Sequence, residues 1–341
     1  MASSSTYDLF VGVDIAATTA AVAWQRFDAP LTHALTFTQT PVGCTALHKR
    51  LLATGVTPAR TLVVMEATGS YWITLATTLH HAGYAVSVIN PAQAHAFAKA
   101  LLKRAKTDAI DAQTLTQLAA LLQPAPWTPP PAVYHELQQR LAQRDALLDL
   151  RGQLRNQRHA LLQHPIIVAA VWERMESLLA TLTAQIAAVE AELLPALKQD
   201  AAWAAAAARL QTIKGVGLLT ASWLLVTTLC FSTCPTPEAA TAYAGLAPNE
   251  RSSGTSVYHR PRIGHTGNAR LRTALYMATL SAAARNPAIK PFYDRLRAAG
   301  KPMKVARCAA ARKLLHIAWA LVTKEQDFDP TYRQRLHISK A

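Results

Sequence analysis

Leu9-Phe10-Val11-Gly12-Val13-Asp14-Ile15 and Thr61-Leu62-Val63-Val64-Met65-Glu66 decide how this chain is read. Both are short apolar runs rich in β-branched residues, which predicts buried strands. Both carry a carboxylate at or near the C-terminal end. Acids are seldom buried without a partner, and adjacent strands lie ~4.8 Å apart, so Asp14 and Glu66 can share one site.

Working outward, Ala20 to Phe27 and Leu35 to Thr40 predict two more strands, which with the first form a meander. Ala85 to Ile89, closed by Asn90-Pro91, predicts a fifth. Helices are expected over Thr45–Thr54, Tyr71–His81, Ala92–Leu102 and Asp108–Leu122. The order β-β-β-α-β-α-β-α predicts an α/β layer on a mixed sheet. Pro124 to Pro131 reads as a linker, because it cannot continue a helix.

Two long helices are expected over Val133–Gln163 and Val168–Lys198, broken at His164-Pro165. Leu137, Leu141, Leu148, Leu154 and Leu161 give one apolar stripe; Leu178, Leu182, Ile186, Val189 and Leu193 give the other. This predicts an antiparallel hairpin or coiled coil with a dimer surface. An ordinary intramolecular bundle accounts for the same periodicity. From 200 to 330 the chain is expected to be mostly helical, with an irregular basic insert over Pro248–Asn268. The domain boundaries are therefore set at 1–123, 124–199, 200–330 and a tail, 331–341.

The chain has 341 residues, 51% hydrophobic and 16% charged, enough for about two packed domains and too apolar for global disorder. Its formal charge is +15, unevenly placed. Residues 1–100 hold five basic and four acidic side chains, residues 101–200 ten of each, and residues 201–341 twenty basic and six acidic. The polyanion-binding surface is thus expected at the C-terminal end, with nucleic acid the expected partner before membrane. Between Asn249 and Lys313 stand fourteen basic residues and two acidic ones.

Cys44, Cys230, Cys234 and Cys308 make no disulfide framework or zinc pattern in a chain this long, and are expected to be small apolar residues in a reducing compartment. No basic n-region with an apolar h-region opens the sequence, so no signal peptide is expected. The most apolar run, Gly215 to Phe231, is short for a span and is expected to be a buried helix. A cytoplasmic, nucleoid-associated bacterial protein is the expectation.

Three groups of residues carry chemistry. Asp108 and Asp111, three apart on a predicted helix, share a face. With Asp14 and Glu66 they make four carboxylates, which repel unless a cation neutralises them. Oxygen-only ligation suits Mg²⁺. For Asp108 alone, after Thr107, a helix cap or a solvated acid is the favoured reading. Next, Ile213-Lys214-Gly215-Val216-Gly217 between helical segments looks like the turn of a helix-hairpin-helix, where backbone N–H groups meet phosphate; a tight helix–helix turn is the plainer reading. Last, Arg251-Ser252-Ser253-Gly254-Thr255-Ser256 sets hydroxyls beside glycine, ahead of His259, Arg260, Arg262, His265, Arg270 and Arg272. A serine becomes a phosphoryl-transfer nucleophile when its alkoxide is stabilised. Otherwise these hydroxyls belong to a polar turn that touches phosphate.

An ordered set of motifs runs along nearly the whole chain. It comprises Phe10-Val11-Gly12-Val13-Asp14, Met65-Glu66-Ala67-Thr68-Gly69-Ser70-Tyr71, Val86-Ser87-Val88-Ile89-Asn90-Pro91 and Lys106-Thr107-Asp108-Ala109-Ile110-Asp111-Ala112. It continues with Ala244-Gly245-Leu246-Ala247-Pro248, Ser253-Gly254 and Leu271-Arg272-Thr273-Ala274-Leu275-Tyr276-Met277. Together they resemble the DEDD transposases of the IS one-ten type, insertion-sequence recombinases guided by a bridge RNA.

The resemblance implies a RuvC-like, ribonuclease-H-type N-terminal domain, a coiled-coil connection and a mostly helical transposase domain. It places Asp14, Glu66, Asp108 and Asp111 on the family's Mg²⁺-binding acids. It makes Ser253, the serine directly before glycine, the nucleophile, with Ser252 as the adjacent competitor. Lys214, Gly215, Gly217, Arg251, Arg260, Arg262, Arg270 and Arg272 are the expected nucleic-acid contacts. The implied partners are donor and target double-stranded DNA, a noncoding bridge RNA, and further copies of the chain in a tetramer built as a dimer of dimers. Two rivals stand beside this reading: a RuvC-like structure-specific nuclease that uses water, and a non-catalytic nucleic-acid-binding relic.

Overall fold

A computed structural model describes residues 6–331 except Asp28, Thr68, 104–106, 254–256 and His265; for 249–253 and 257–261 it describes the backbone alone. The chain divides into two compact units, Met1–Pro129 and Pro130–Ala341.

The first unit is a five-stranded sheet with helices on both faces. Its elements are β1 (Leu9–Ile15), β2 (Thr19–Arg26), β3 (Leu35–Thr38), α1 (Pro41–Leu52), β4 (Thr61–Glu66), α2 (Trp72–His81), β5 (Ala85–Ile89), α3 (Pro91–Ala100) and α4 (Asp108–Leu122). The strand order is β3-β2-β1-β4-β5. Short turns join β1, β2 and β3 as antiparallel neighbours, while β1, β4 and β5 run parallel. Parallel neighbours need a crossover, and α2 supplies the one between β4 and β5.

The period-2 alternation of strands assigns the faces. Leu9, Val11 and Val13 pack with Leu47 and Leu51 of α1 and Leu75 and Leu79 of α2. Phe10, Leu62 and Val64 point the other way, to Ala94 of α3 and Leu115 and Leu118 of α4. At Gly12 this second face has no side chain, and α4 crosses there at backbone contact. A Cβ on Gly12 would lie 2.2 Å from the Ala112 carbonyl oxygen and 2.3 Å from the Thr116 nitrogen. The Thr116 hydroxyl donates to the carbonyls of Ala112 and, on β2, Ala23.

The largest boundary difference from the sequence expectation is at α1, and the linker carries contacts that the sequence did not predict. The helix expected from Thr45 begins at Pro41, because the Thr40 hydroxyl caps it by accepting from Gly43 N–H and proline suits a first helical turn. The start of the proline-rich linker is tied to β5: the Ser87 hydroxyl donates to the carbonyls of Pro124 and Ala125, and Trp127 N–H donates to Val86.

The second unit contains α5 (Ala132–Leu161), α6 (Ala169–Leu197), α7 (Ala201–Gln211), α8 (Leu218–Thr228), α9 (Pro237–Tyr243), β6 (Asn249–Ser253), β7 (Val257–Arg262), α10 (Ala269–Arg285), α11 (Lys290–Ala298) and α12 (Met303–Thr323). The long helices form the expected hairpin, strapped by Arg140–Glu192 at 3.0 Å, Arg144–Glu190 at 2.6 Å and Arg158–Glu176 at 2.9 Å. The root of the hairpin joins the main core of the unit through Val133, Leu137, Leu141, Leu193 and Leu197, and farther along α6 Ile186 and Val189 are buried as well. Leu178, assigned to the inward stripe from sequence, is 55% exposed, and Leu179 turns inward instead. By length and composition α6 is the one helix among the described residues that is long and apolar enough to cross a membrane. The apolar run after Gly215 forms buried α8, as expected.

The insert expected to be irregular contains a β-hairpin. Strands β6 and β7 are antiparallel, with Arg251 opposite His259, Ser252 opposite Tyr258 and Ser253 opposite Val257.

Candidate active site

Asp14 and Glu66 reach the same face by counting. Asp14 follows Gly12 by two residues and Glu66 follows Val64 by two, so both side chains project on the α4 side of the sheet. The parallel register pairs Gly12 with Val64 and Val13 with Met65, and Asp14 and Glu66 stand one position further on. The crossing at Gly12 sets the first turn of α4 beside them. Thr107 is the N-cap, its hydroxyl accepting from Ile110 N–H at 3.3 Å, so the cap is not Asp108. Asp108 and Asp111 both lie in that first turn, where the helix dipole favours negative charge.

The four acids line a single cleft of about 680 Å³. Burial, followed by the charges of Asp111, Asp108 and Glu66, lifts the Asp14 carboxyl from 3.8 to about 6. A cation between these groups would relieve that repulsion, so the donor set fits a hard divalent ion by chemistry. Among the described residues no three acidic, histidine or cysteine side chains are set to hold an ion as they stand.

In the second unit, Ser253 lies at the end of β6 by its backbone. Its side chain, those of Ser252, Arg251 and Arg260, and all of Gly254 lie outside the described residues. Arg262 is exposed at the end of β7. The two chain segments that enter and leave this hairpin meet in a tight neck. Gly245 has φ +66°, and a Cβ there would lie 2.1 Å from the Thr266 carbonyl oxygen. Arg272 donates from one guanidinium nitrogen to the carbonyls of Ala244 and Thr266, both at 3.1 Å. Asn268 N–H donates to the Tyr243 carbonyl at 2.7 Å. Arg272, expected on phosphate, thus binds the stem of the serine hairpin.

Arg270 is also engaged within the protein. It pairs with Asp145 of α5 and lies 5.0 Å from the Trp223 ring centroid. Burial pushes the Asp145 carboxyl up, opposed by Arg270 and Arg144. Lys214 is exposed in the turn between α7 and α8. Gly215, at φ +105°, lets that turn approach Ala282 of α10, and Gly217 caps α8 from its backbone position. The turn is therefore a close helix–helix packing.

Comparison with known proteins decides the family. A transposase model of the DEDD, IS110 type matches residues 11–166, and the model of the transposase IS116/IS110/IS902 family matches residues 207–294. The pilin gene-inverting protein of Moraxella lacunata is 31% identical over 336 residues, covering 96% of this chain and 98% of that protein. The protein of the same name from Moraxella bovis is 30% identical over 337 residues, with the same coverage of each chain. The chain belongs to the IS110-type transposase family. An uncharacterized 43.6 kDa protein of insertion element IS110 from Streptomyces coelicolor is 37% identical over 115 residues, 33% of this chain and 28% of that protein.

The chain is accordingly a DNA transposase/recombinase, and DEDD membership implies a divalent metal. The mixed sheet and helical second unit are compatible with a DEDD nuclease-like architecture. The four acids fall in the first matched region and the Ser253 hairpin in the second. Sequence reasoning passed over His95, Lys99 and Lys103, which line the acid cleft. The available signal was the i, i+4 spacing of His95 and Lys99 on a helix that starts directly after a sheet strand.

Proposed function

We propose that this transposase is an RNA-guided recombinase that cuts and rejoins donor and target DNA through a serine–phosphate link. The observation that carries the reading is the convergence of Asp14, Glu66, Asp108 and Asp111 on one cleft of a DEDD-family chain. In this reading the first unit is RuvC-like and its four acids hold Mg²⁺. Bound there, Mg²⁺ would stabilise the attacking alkoxide and the departing sugar oxygen. The Ser253 hydroxyl loses its proton and its Oγ bonds to the scissile phosphorus. One phosphorus–oxygen ester bond breaks, and the released sugar oxygen takes up a proton. One ester replaces another, so the bond energy is retained for rejoining. Arg272 holds the hairpin stem, and the exposed cations around Lys214 and Arg262 contact phosphate.

The first unit is nearly neutral and the second strongly basic, which suits a division of labour between metal-holding acids and DNA-holding cations. We assign the acids and the serine of each site to different subunits of a tetramer, a dimer of dimers acting on the DNA of the bacterial cytoplasm. Donor and target are specified by pairing to a noncoding RNA of the element, the RNA guidance following from the family resemblance.

The test is a covalent one. Ser253→Ala should abolish the protein–DNA adduct and strand exchange while assembly persists, and Ser252→Ala should do much less. Cleavage without an adduct in Ser253→Ala would make water the nucleophile. An adduct that persists would move the role to another residue. Mixing Ser253→Ala with Asp14→Ala subunits should restore some activity; no rescue in correctly assembled mixtures would remove the intersubunit assignment. Recombination unchanged by removing the RNA would overturn guidance.

A further inference from the structure

One wall of the acid cleft is cationic. Helix α3 begins at Pro91 under an Asn90 cap, whose side chain accepts from Ala92 N–H at 2.8 Å. Ala94 is buried against Phe10, Leu62 and α4, which fixes the roll of the helix. That roll leaves His95 and Lys99 exposed and lining the cleft, with the small residues Ala94 and Ala98 beside them. Lys103 lines the same cleft just beyond the helix end. Its position is set by the backbone: Leu102 adopts φ +55°, and Lys103 N–H returns to the Ala98 carbonyl at 3.2 Å. A helix end closed this way holds its following residue in place.

These lysines are not counter-ions for the acids. Among the described residues neither Lys99 nor Lys103 makes an ion pair or a side-chain hydrogen bond. The charges that act on Asp14 are the three other acids. Two exposed ammonium groups therefore share a cleft with four carboxylates without pairing with them. The cleft has separate places for two kinds of ligand, a cation on the acid side and an anion on the α3 side. Residues four apart on a helix stand about 6 Å apart, near the axial rise of two nucleotides in one DNA strand at ~3.4 Å each.

We infer that the His95–Lys99–Lys103 wall binds the phosphodiester backbone of the DNA strand being cut, holding phosphates next to the scissile one. The lysines bind as point charges, His95 contributes a ring N–H, and Ala94 and Ala98 leave the wall flat enough for a sugar–phosphate chain to lie against it. These are positioning residues, and the inference rests on the acid cleft being the cutting site.

The test uses the full chain and lysine acetylation read by peptide mass spectrometry, with a short labelled DNA duplex, single-stranded DNA or RNA as probe. DNA should protect Lys99 and Lys103 severalfold, in Mg²⁺ and in chelator, while exposed Lys49 on α1 stays reactive. Lys99→Ala/Lys103→Ala should make the slope of log binding constant against log salt shallower by about 2. It should also raise KM for cleavage more than it lowers kcat, with Lys99→Arg/Lys103→Arg restoring both. Unprotected lysines in a chain that is bound to DNA, or protection by RNA alone, would overturn the inference. So would a large fall in melting temperature in Lys99→Ala/Lys103→Ala, which would mark the lysines as internal counter-ions. Protection in a chain that forms no DNA adduct would leave the inference standing and remove the serine reading. An adduct with unprotected lysines would do the reverse.

Discussion

The acid cleft and the stem of the serine hairpin place their residues by different means. In the first unit, the acids are set by core packing: two strands in register, and a helix in backbone contact at Gly12. In the second, the hairpin is set by a handful of hydrogen bonds at its neck, centred on Arg272. A packed core fixes side chains all along a face, whereas a hydrogen-bonded neck fixes where a segment starts and ends. The cleft should therefore fail with the fold, and the hairpin should be able to fail alone.

The strongest way to break that contrast is Gly12→Val. The new side chain would meet backbone atoms of α4 that cannot rotate away, so a loss above about 4 kcal/mol is expected. Thermal unfolding should show the first unit melting early, with DNA cleavage lost in parallel. A near-native melting temperature would mean that α4 can re-seat, and the acid geometry would then not depend on this crossing.

Arg272→Ala should cost less, about 2 kcal/mol, for two hydrogen bonds from a charged donor. Its distinctive effect should be local: faster hydrogen exchange over residues 249–262, and strand exchange falling further than DNA binding does. Uniform weakening of DNA binding without a change in exchange would return Arg272 to the phosphate-contact role first expected for it.

Asp14→Asn sharpens the comparison through pH. The folded carboxyl holds its proton up to about 6 against an ordinary 3.8, so the folded state binds that proton more tightly than the unfolded chain. Stability is thus greatest while Asp14 is protonated and is lost as pH rises from about 4 to about 6. Asn should remove this loss and stabilise the metal-free protein at pH 7 by about 1 kcal/mol, allowing for partial exposure. Melting curves from pH 4 to pH 8 report it, and identical pH profiles for the two proteins would contradict the buried repulsion. The smallest effect is expected at Lys290→Ala, which breaks an exposed i, i+4 pair with Asp294 at 2.6 Å. Denaturant unfolding should change by no more than about 0.5 kcal/mol.

Much of the first unit was legible because its signals are local. Apolar runs marked all five strands, and Thr107 ahead of Asp108 marked the start of α4 to the residue. The shared cleft followed from acids at strand ends and on one helix turn. The contact at Gly12 left no local trace, since a glycine in a strand has several explanations. The β6–β7 pairing was missed because Asn249 to Arg262 lacks apolar alternation and reads as a basic loop. Arg270 gave only its charge, and its partner Asp145 lies 125 residues earlier in the chain. His95, Lys99 and Lys103 were passed over, because the cleft they line is shared with strands β1 and β4, far from them in sequence.

The Arg270–Asp145 pair also has a mechanical meaning. Asp145 is the last buried residue of α5, and Leu161 ends that helix about 24 Å farther along its axis at 1.5 Å per residue. Arg270 sits in the first turn of α10, just after the neck of the serine hairpin. The pair is placed as a fulcrum, through which a sideways load on the outer half of α5 would reach the turn that follows the β6–β7 hairpin.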